Sequence, residues 1–300
     1  MPELPEVETV CRGLDQAMTS RKIISVDQNR PNLRFPFPKN FPGRLAGRKI
    51  ERVTRRAKYI LVELDAGLTL LMHLGMSGRF EILTDDKSHK PGSFHQKIAA
   101  GQKGVNGFGK HAHVVFYLDE GTKIVYSDPR RFGFMDLVKT KERDSHPNLK
   151  VLGVEPLGNE MNADYIREHF RGKQTSLKAI LLNQKIIAGI GNIYACEALF
   201  RAGLSPARKA ASLALKSTKA KERAENLAIE IRSVLTDAIQ AGGSSLRDFA
   251  NVEGDLGYFQ HTFQAYDQEG EACKRPGCYG VIKRIVQNNR STFFCPSCQK

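Results

Sequence analysis

The 300-residue chain has no apolar run near the roughly 18 residues that a membrane span needs. Its longest candidate, Leu68–Leu74, is interrupted by Thr69 and His73. A secretory leader is missing as well: Glu3, Glu6 and Glu8 stand where such a leader carries Lys or Arg and then an apolar stretch. No internal repeat is present. Cysteine is too sparse for a disulfide framework, since Cys11 and Cys196 are isolated and the other four lie close to the C-terminus. Acidic residues are outnumbered, with 32 Asp+Glu against 46 Lys+Arg and a net charge of +14. These features describe a cytosolic protein with no membrane partner, expected to be a monomer. Its surface attracts polyanions, nucleic acid before any anionic membrane.

What is present divides into three stretches. Leu4, Val7, Val10, Cys11, Leu14 and Met18 recur on one helical face, and Pro2 and Pro5 suit a helix entrance, where a missing N–H does no harm. From Ile23 to about Leu137 the pattern shortens to β-rich runs between turn residues. Lys58–Leu64, Leu68–Leu74, His113–Leu118 and Lys123–Tyr126 are the clearest. A helix leading into an antiparallel β-sandwich is expected over 1–148. Within it, 85–110 is rich in Gly, Lys and His and reads as a solvated surface loop. Over 149–262 the periodicity is helical, at about Ala163–His169, Thr175–Leu182, Asn192–Phe200 and Ser217–Ala241, the last closed by Gly242-Gly243. Over 263–300 it is β again, at Phe263–Tyr266, Val281–Gln287 and Ser291–Phe294. The fold class is therefore α+β.

The last stretch carries the sharpest local signal. Cys273 and Cys278 are followed, after a gap of 16 residues, by Cys295 and Cys298. Two short cysteine pairs at this separation match a four-thiolate tetrahedral zinc site. Four thiolates leave no open coordination position, so one Zn(2+) would be structural and would supply much of the segment's folding free energy. Between the pairs the sequence reads as a hairpin turning at Asn288-Asn289. Lys283, Arg284 and Arg290 then lie on a rigid basic ribbon, with Arg290 at the turn as a probe for a groove or phosphate. Upstream, Gly189 and Gly191 supply a tight turn, and Asn192 reads as the N-cap of the next helix, whose N-terminus would seat a phosphate.

Removal of Met1 would leave Pro2 with a free secondary amine. Such an amine attacks an aldehyde carbon to give a cationic iminium, an electron sink that acidifies the neighbouring carbon for β-elimination. A free α-amine titrates near pH 8, so part of it is nucleophilic at neutral pH. The adjacent Glu3 can move protons.

Six segments now stand together: MPELPEVET (1–9), RRAKYILVEL (55–64), HLGMSGRF (73–80), SDPRRFG (127–133), GIGNIYACEALF (189–200) and RSTFFCPSCQ (290–299). In order and spacing they closely resemble formamidopyrimidine-DNA glycosylases over nearly the whole chain. The resemblance implies a β-sandwich with its leading helix, a helix–two-turn–helix domain and a zinc hairpin, with duplex DNA in the cleft between the halves. It implies base-excision repair of oxidised purines, namely 8-oxoguanine and formamidopyrimidines, by a bifunctional glycosylase and abasic-site lyase. Pro2 would form the Schiff base, Glu3 would help open the deoxyribose ring, and Lys58 and Arg290 would complete the catalytic set. A damaged base inside a duplex must be flipped out, and Met76, Arg130 and Phe132 match the residues that fill the gap. His73, Arg131, Asn192 and Arg290 match phosphate contacts. Lys173 is placed near the base pocket, and a loop over 242–260 would cover the everted base.

Three departures stand out: C-x4-C in the first cysteine pair, a long loop over 85–110 and Ala112 where Asp is expected. The rival readings are an endonuclease VIII type enzyme acting on oxidised pyrimidines, against which the intact PELPEVET and PRRF segments speak, and a DNA-binding module without chemistry, against which Pro2, Glu3 and Lys58 speak.

Overall fold

The computed structural model describes residues 1–84, 108–244 and 257–300. All but the last three residues of the basic stretch 85–110, and most of 242–260, lie outside them. Chain contacts divide the protein into two compact units, Met1–Lys150 with Ala241–Tyr258, and Val151–Gln240 with Phe259–Lys300.

The first unit opens with α1 (Leu4–Met18), whose Val7, Val10, Cys11, Leu14 and Met18 are buried. Among the described residues eight strands follow: β1 (Ile23–Gln28), β2 (Ile50–Arg56), β3 (Tyr59–Leu64), β4 (Leu68–His73), β5 (Arg79–Leu83), β6 (Ala112–Leu118), β7 (Lys123–Ser127) and β8 (Phe134–Lys139). They form two four-stranded sheets, ordered β2-β3-β4-β8 and β1-β6-β7-β5, with every pairing antiparallel. Alternation decides which side chains go inward. Ile60, Val62 and Leu64 of β3 and Val114, Phe116 and Leu118 of β6 enter one apolar cluster that also holds the face of α1. The two sheets therefore pack face to face as a sandwich, as the succession of short β-rich runs predicts. The β4–β5 and β7–β8 connections each cross from one sheet to the other.

The second unit contains α3 (Ala163–Phe170), α4 (Leu177–Leu181), α5 (Asn192–Arg201), α6 (Thr218–Gln240) and the hairpin β9 (Lys283–Gln287) with β10 (Arg290–Phe294); the short α2 (Phe41–Leu45) belongs to the first. Asn162 and Ser176 cap α3 and α4 through their side chains. Helix α5 is buried on almost every side, including Tyr194, Ala195, Cys196, Ala198, Leu199 and Phe200. Hairpin residues Asn288 and Asn289 have φ of 50° and 57°, and Gln287 pairs with Arg290, as a two-residue turn with both central residues left-handed requires.

Two local expectations are corrected. Phe263–Tyr266 is not a strand. The N–H groups of Gln264, Ala265 and Tyr266 donate to the carboxylate of Glu197 at 3.0, 2.9 and 2.7 Å, so a side chain replaces a ladder partner. Asn192 is not the cap of α5 but its first residue, the cap being Gly191 at φ −126°. Only Gly189 of the glycine pair is left-handed, at φ 90°.

Candidate nucleic-acid interface and metal centre

At the start of the first unit, Glu3 caps α1 in a reciprocal box. Its side chain accepts from the Glu6 N–H, and Glu6 Oε2 accepts from the Glu3 N–H at 2.8 Å. The other Glu6 oxygen accepts from the Ser244 N–H at 2.9 Å and from its hydroxyl at 3.0 Å. Both carboxylates are buried, while Pro2 is half-buried and Met1 exposed. The chain is thus held firmly up to Glu3, and Pro2 lies one residue beyond that anchor.

Lys58 is buried, and it is the second residue of the turn joining β2 to β3 rather than part of the strand. The turn is steadied from α1. Glu8 Oε2 accepts from Arg55 Nε at 2.8 Å, and Arg55 Nη1 donates to the Ala57 carbonyl at 2.9 Å. Burial alone would raise the Glu8 carboxyl, but Arg55 and Arg12 outweigh it and hold the group below its ordinary value.

His73 ends β4, stacked on Phe134 at 5.8 Å and tilted against Tyr59 at 4.9 Å. Burial first, then the charges of Lys58 and Arg34, push its pKa down to about 4. The ring is neutral at pH 7. Its Nδ1 accepts from the Gly75 N–H at 3.0 Å, which assigns the proton to Nε2 and makes that edge a donor.

Met76 and Phe132 are exposed on the two connections that change sheets, and the Arg130 guanidinium lies 4.9 Å from the Phe132 ring centroid. Arg131 is also exposed, with a left-handed backbone at φ 56°. Glycine is what lets these loops approach each other, because a Cβ on Gly75, at φ 63°, would overlap the Phe132 carbonyl.

In the second unit, Asn192 Nδ2 donates to the Ser291 carbonyl at 2.9 Å, while its Oδ1 is buried with no hydrogen-bond partner among the described residues. The start of α5 is thereby tied to the residue after Arg290, which is exposed at the hairpin turn. Lys173 is exposed, and its backbone bonds to Phe170 and Ala211. Two residues that sequence reasoning missed are Lys178 and Glu197. Lys178 is buried and donates to the Ser291 carbonyl at 2.8 Å and the Thr292 hydroxyl at 2.5 Å. Glu197 is buried as well, and burial raises its pKa although three N–H groups bind it. The available signal is a charge inside an apolar run, LKAILL and ACEALF.

Cys273, Cys278, Cys295 and Cys298 bring their sulfurs within 4.8 Å of one another, with two pairs at 3.7 Å. A tetrahedron with metal–sulfur legs of about 2.3 Å has edges of about 3.8 Å, so the donor set fits one structural zinc ion. The C-x4-C spacing does not disturb it. Gly280 belongs to this fit, because a Cβ there would meet Cys295 Sγ at 2.6 Å. Gln299 braces the knuckle, accepting from the Cys295 N–H and donating to the Leu204 carbonyl, both at 2.8 Å.

Comparison with known proteins decides the family. The formamidopyrimidine-DNA glycosylase N-terminal domain matches residues 1–135, the H2TH domain of the same enzymes residues 152–250, and the zinc finger found in FPG and IleRS residues 270–300. The chain belongs to the formamidopyrimidine-DNA glycosylase family. It is 55% identical to the Methylocella silvestris formamidopyrimidine-DNA glycosylase over 302 residues and 53% identical to one from a Bradyrhizobium strain over 300, covering 100% of each. Among solved structures it is similar to a Lactococcus lactis FPG mutant in complex with Fapy-dG DNA, with a TM-score of 0.83 at 30% identity and 100% of both chains covered. Among the described residues, no helix is long and apolar enough to cross a membrane.

Proposed function

We propose that this family member excises oxidised purines, 8-oxoguanine and formamidopyrimidines, from duplex DNA and then nicks the strand, acting as a monomer in the cytosol. The substrate class is supported by the relatives' name and by the Fapy-dG complex of the Lactococcus lactis protein. The observation that carries the chemistry is the placement of Pro2 one residue outside the Glu3–Glu6 box. Once Met1 is removed, a secondary amine stands at the end of a rigid helix.

In this reading Pro2 N bonds to C1′ as the glycosidic bond breaks, and the base leaves. Glu3 delivers a proton to the ring oxygen, which opens the sugar to the iminium. Loss of the C2′ proton breaks the C3′–O bond, and a second elimination breaks the C5′–O bond. Lys58 supports the reacting nucleotide. His73, neutral and donating from Nε2, binds phosphate without adding charge. Arg131, Asn192 and Arg290 bind further phosphates, and Met76, Arg130 and Phe132 occupy the space the flipped nucleotide vacates. The zinc holds the hairpin and takes no part in the chemistry.

Borohydride should trap a covalent adduct with an 8-oxoguanine·C duplex, and mass analysis should place the link on Pro2. Protein retaining Met1, whose Pro2 nitrogen is an amide, should lose trapping, and Pro2→Gly, whose primary amine can still form an imine, should weaken it. Undiminished trapping in either would overturn the nucleophile assignment. Faster excision of thymine glycol than of 8-oxoguanine would overturn the substrate class.

A further inference from the structure

Asp128 is fully buried where the β7–β8 connection begins. Its Oδ1 accepts from the Ser77 hydroxyl at 2.6 Å, and Ser77 lies on the other crossing connection, directly after Met76. Its Oδ2 accepts from the Gly133 N–H at 2.8 Å and the Tyr126 hydroxyl at 3.3 Å. Ser77 Oγ accepts in turn from the Arg130 N–H at 3.1 Å. From below, His113 Nε2 bonds the Asp128 carbonyl at 2.9 Å. One carboxylate therefore closes the Arg130–Phe132 loop on itself at Gly133 and binds it to the Met76 loop.

We propose that Asp128 is a positioning residue, tying the two crossing loops into one rigid wedge so that Met76, Arg130 and Phe132 enter the duplex already in register. The proposal rests on reading those three side chains as gap fillers. Separate loops would each lose conformational freedom on insertion, and joining them beforehand removes that cost from the insertion step. The link is strong because the acceptor is charged and buried. It is close because glycine backbone lets the loops touch: a Cβ on Gly133 would meet both the Tyr126 hydroxyl and the His73 carbonyl.

The test separates opening a duplex from reacting with a sugar. Asp128→Asn should slow excision from an 8-oxoguanine·C duplex about tenfold. Cleavage of a single-stranded oligonucleotide with one abasic site should stay within about twofold, since there is no duplex to open. Ser77→Ala should act in the same direction and more weakly, and it carries the test if Asp128→Asn does not fold. In a protein already bearing Met76→Ala and Phe132→Ala, Asp128→Asn should add only about twofold, because Arg130 alone is left to be positioned. Equal losses on both substrates, a full additional loss in the Met76/Phe132 background, or no loss on the duplex would each overturn the proposal. Normal duplex excision by the Met76→Ala/Phe132→Ala protein alone would instead overturn the gap-filling reading beneath it.

Discussion

The sandwich unit buries Ile60, Val62, Leu70, Phe116 and their neighbours in one apolar cluster drawn from both sheets and α1. The hairpin end of the second unit has a cluster of six buried residues, Phe200, Ala265, Cys273, Ile282, Phe293 and Cys295, and two of these are zinc ligands. Where apolar area is scarce, other ties take over. Lys178 reaches β10, Gln299 braces the knuckle, and Glu197 gathers three N–H groups. The contrast separates two ways of holding exposed side chains still. A large apolar core carries the strands and leaves polar ties such as Asp128 to its loops, whereas a small one needs metal coordination and buried polar groups that are each satisfied throughout.

The largest effect should come from the metal. Cys295→Ser or strong chelation should release zinc and remove local folding free energy on the order of 10 kcal/mol. Amide exchange should then accelerate in 283–294 and remain slow in 59–73. Uniform acceleration would show that the two regions are not independent. Next, Phe116→Ala should lower global stability by about 3–5 kcal/mol in thermal unfolding and leave zinc content unchanged. Lys178→Met, which removes two hydrogen bonds to the hairpin, should cost about 1–3 kcal/mol there. It is read as faster exchange at Ser291 and Thr292 and as weaker binding to abasic-site duplex, with the sandwich unaffected.

The last effect is one of pH, and it belongs to the sandwich. Its folded-state His73 titrates at about 4 against 6.5 ordinarily, so between these values the unfolded chain binds more protons and stability falls as pH is lowered. Glu8, held below its ordinary value, adds to the loss as pH passes below that value. His73→Gln should flatten the stability profile between pH 6.5 and 4; a profile that keeps its full slope would assign the acid sensitivity elsewhere.

Much of this is legible from the sequence because it depends on periodicity or spacing. Short β-rich runs between turn residues mark β3, β4, β6 and β7 to within a residue or so, and the cysteine pairs mark the metal. What escapes depends on long-range polar pairing. Nothing local says that the N–H groups of 264–266 meet a glutamate some 67 residues earlier, so the segment reads as a strand. Asn192 looks like a cap because Asn commonly is one, and its Nδ2 instead finds the Ser291 carbonyl. Lys173 and Lys178 stand five residues apart, but Lys173 is followed by polar Gln174, Thr175 and Ser176 and is exposed, whereas Lys178 lies in the apolar run LKAILL and is buried.

Ala57 precedes Lys58 with φ 52° and a methyl sealed from solvent. An L-residue in that conformation sacrifices roughly 1–2 kcal/mol, which a glycine would recover. Glycine would also admit many alternative turn shapes, each pointing the ammonium in a different direction. The methyl forbids most of them. The turn thus exchanges a little global stability for a fixed lysine direction, and Ala57→Gly should melt higher while leaving the Lys58 side chain less ordered.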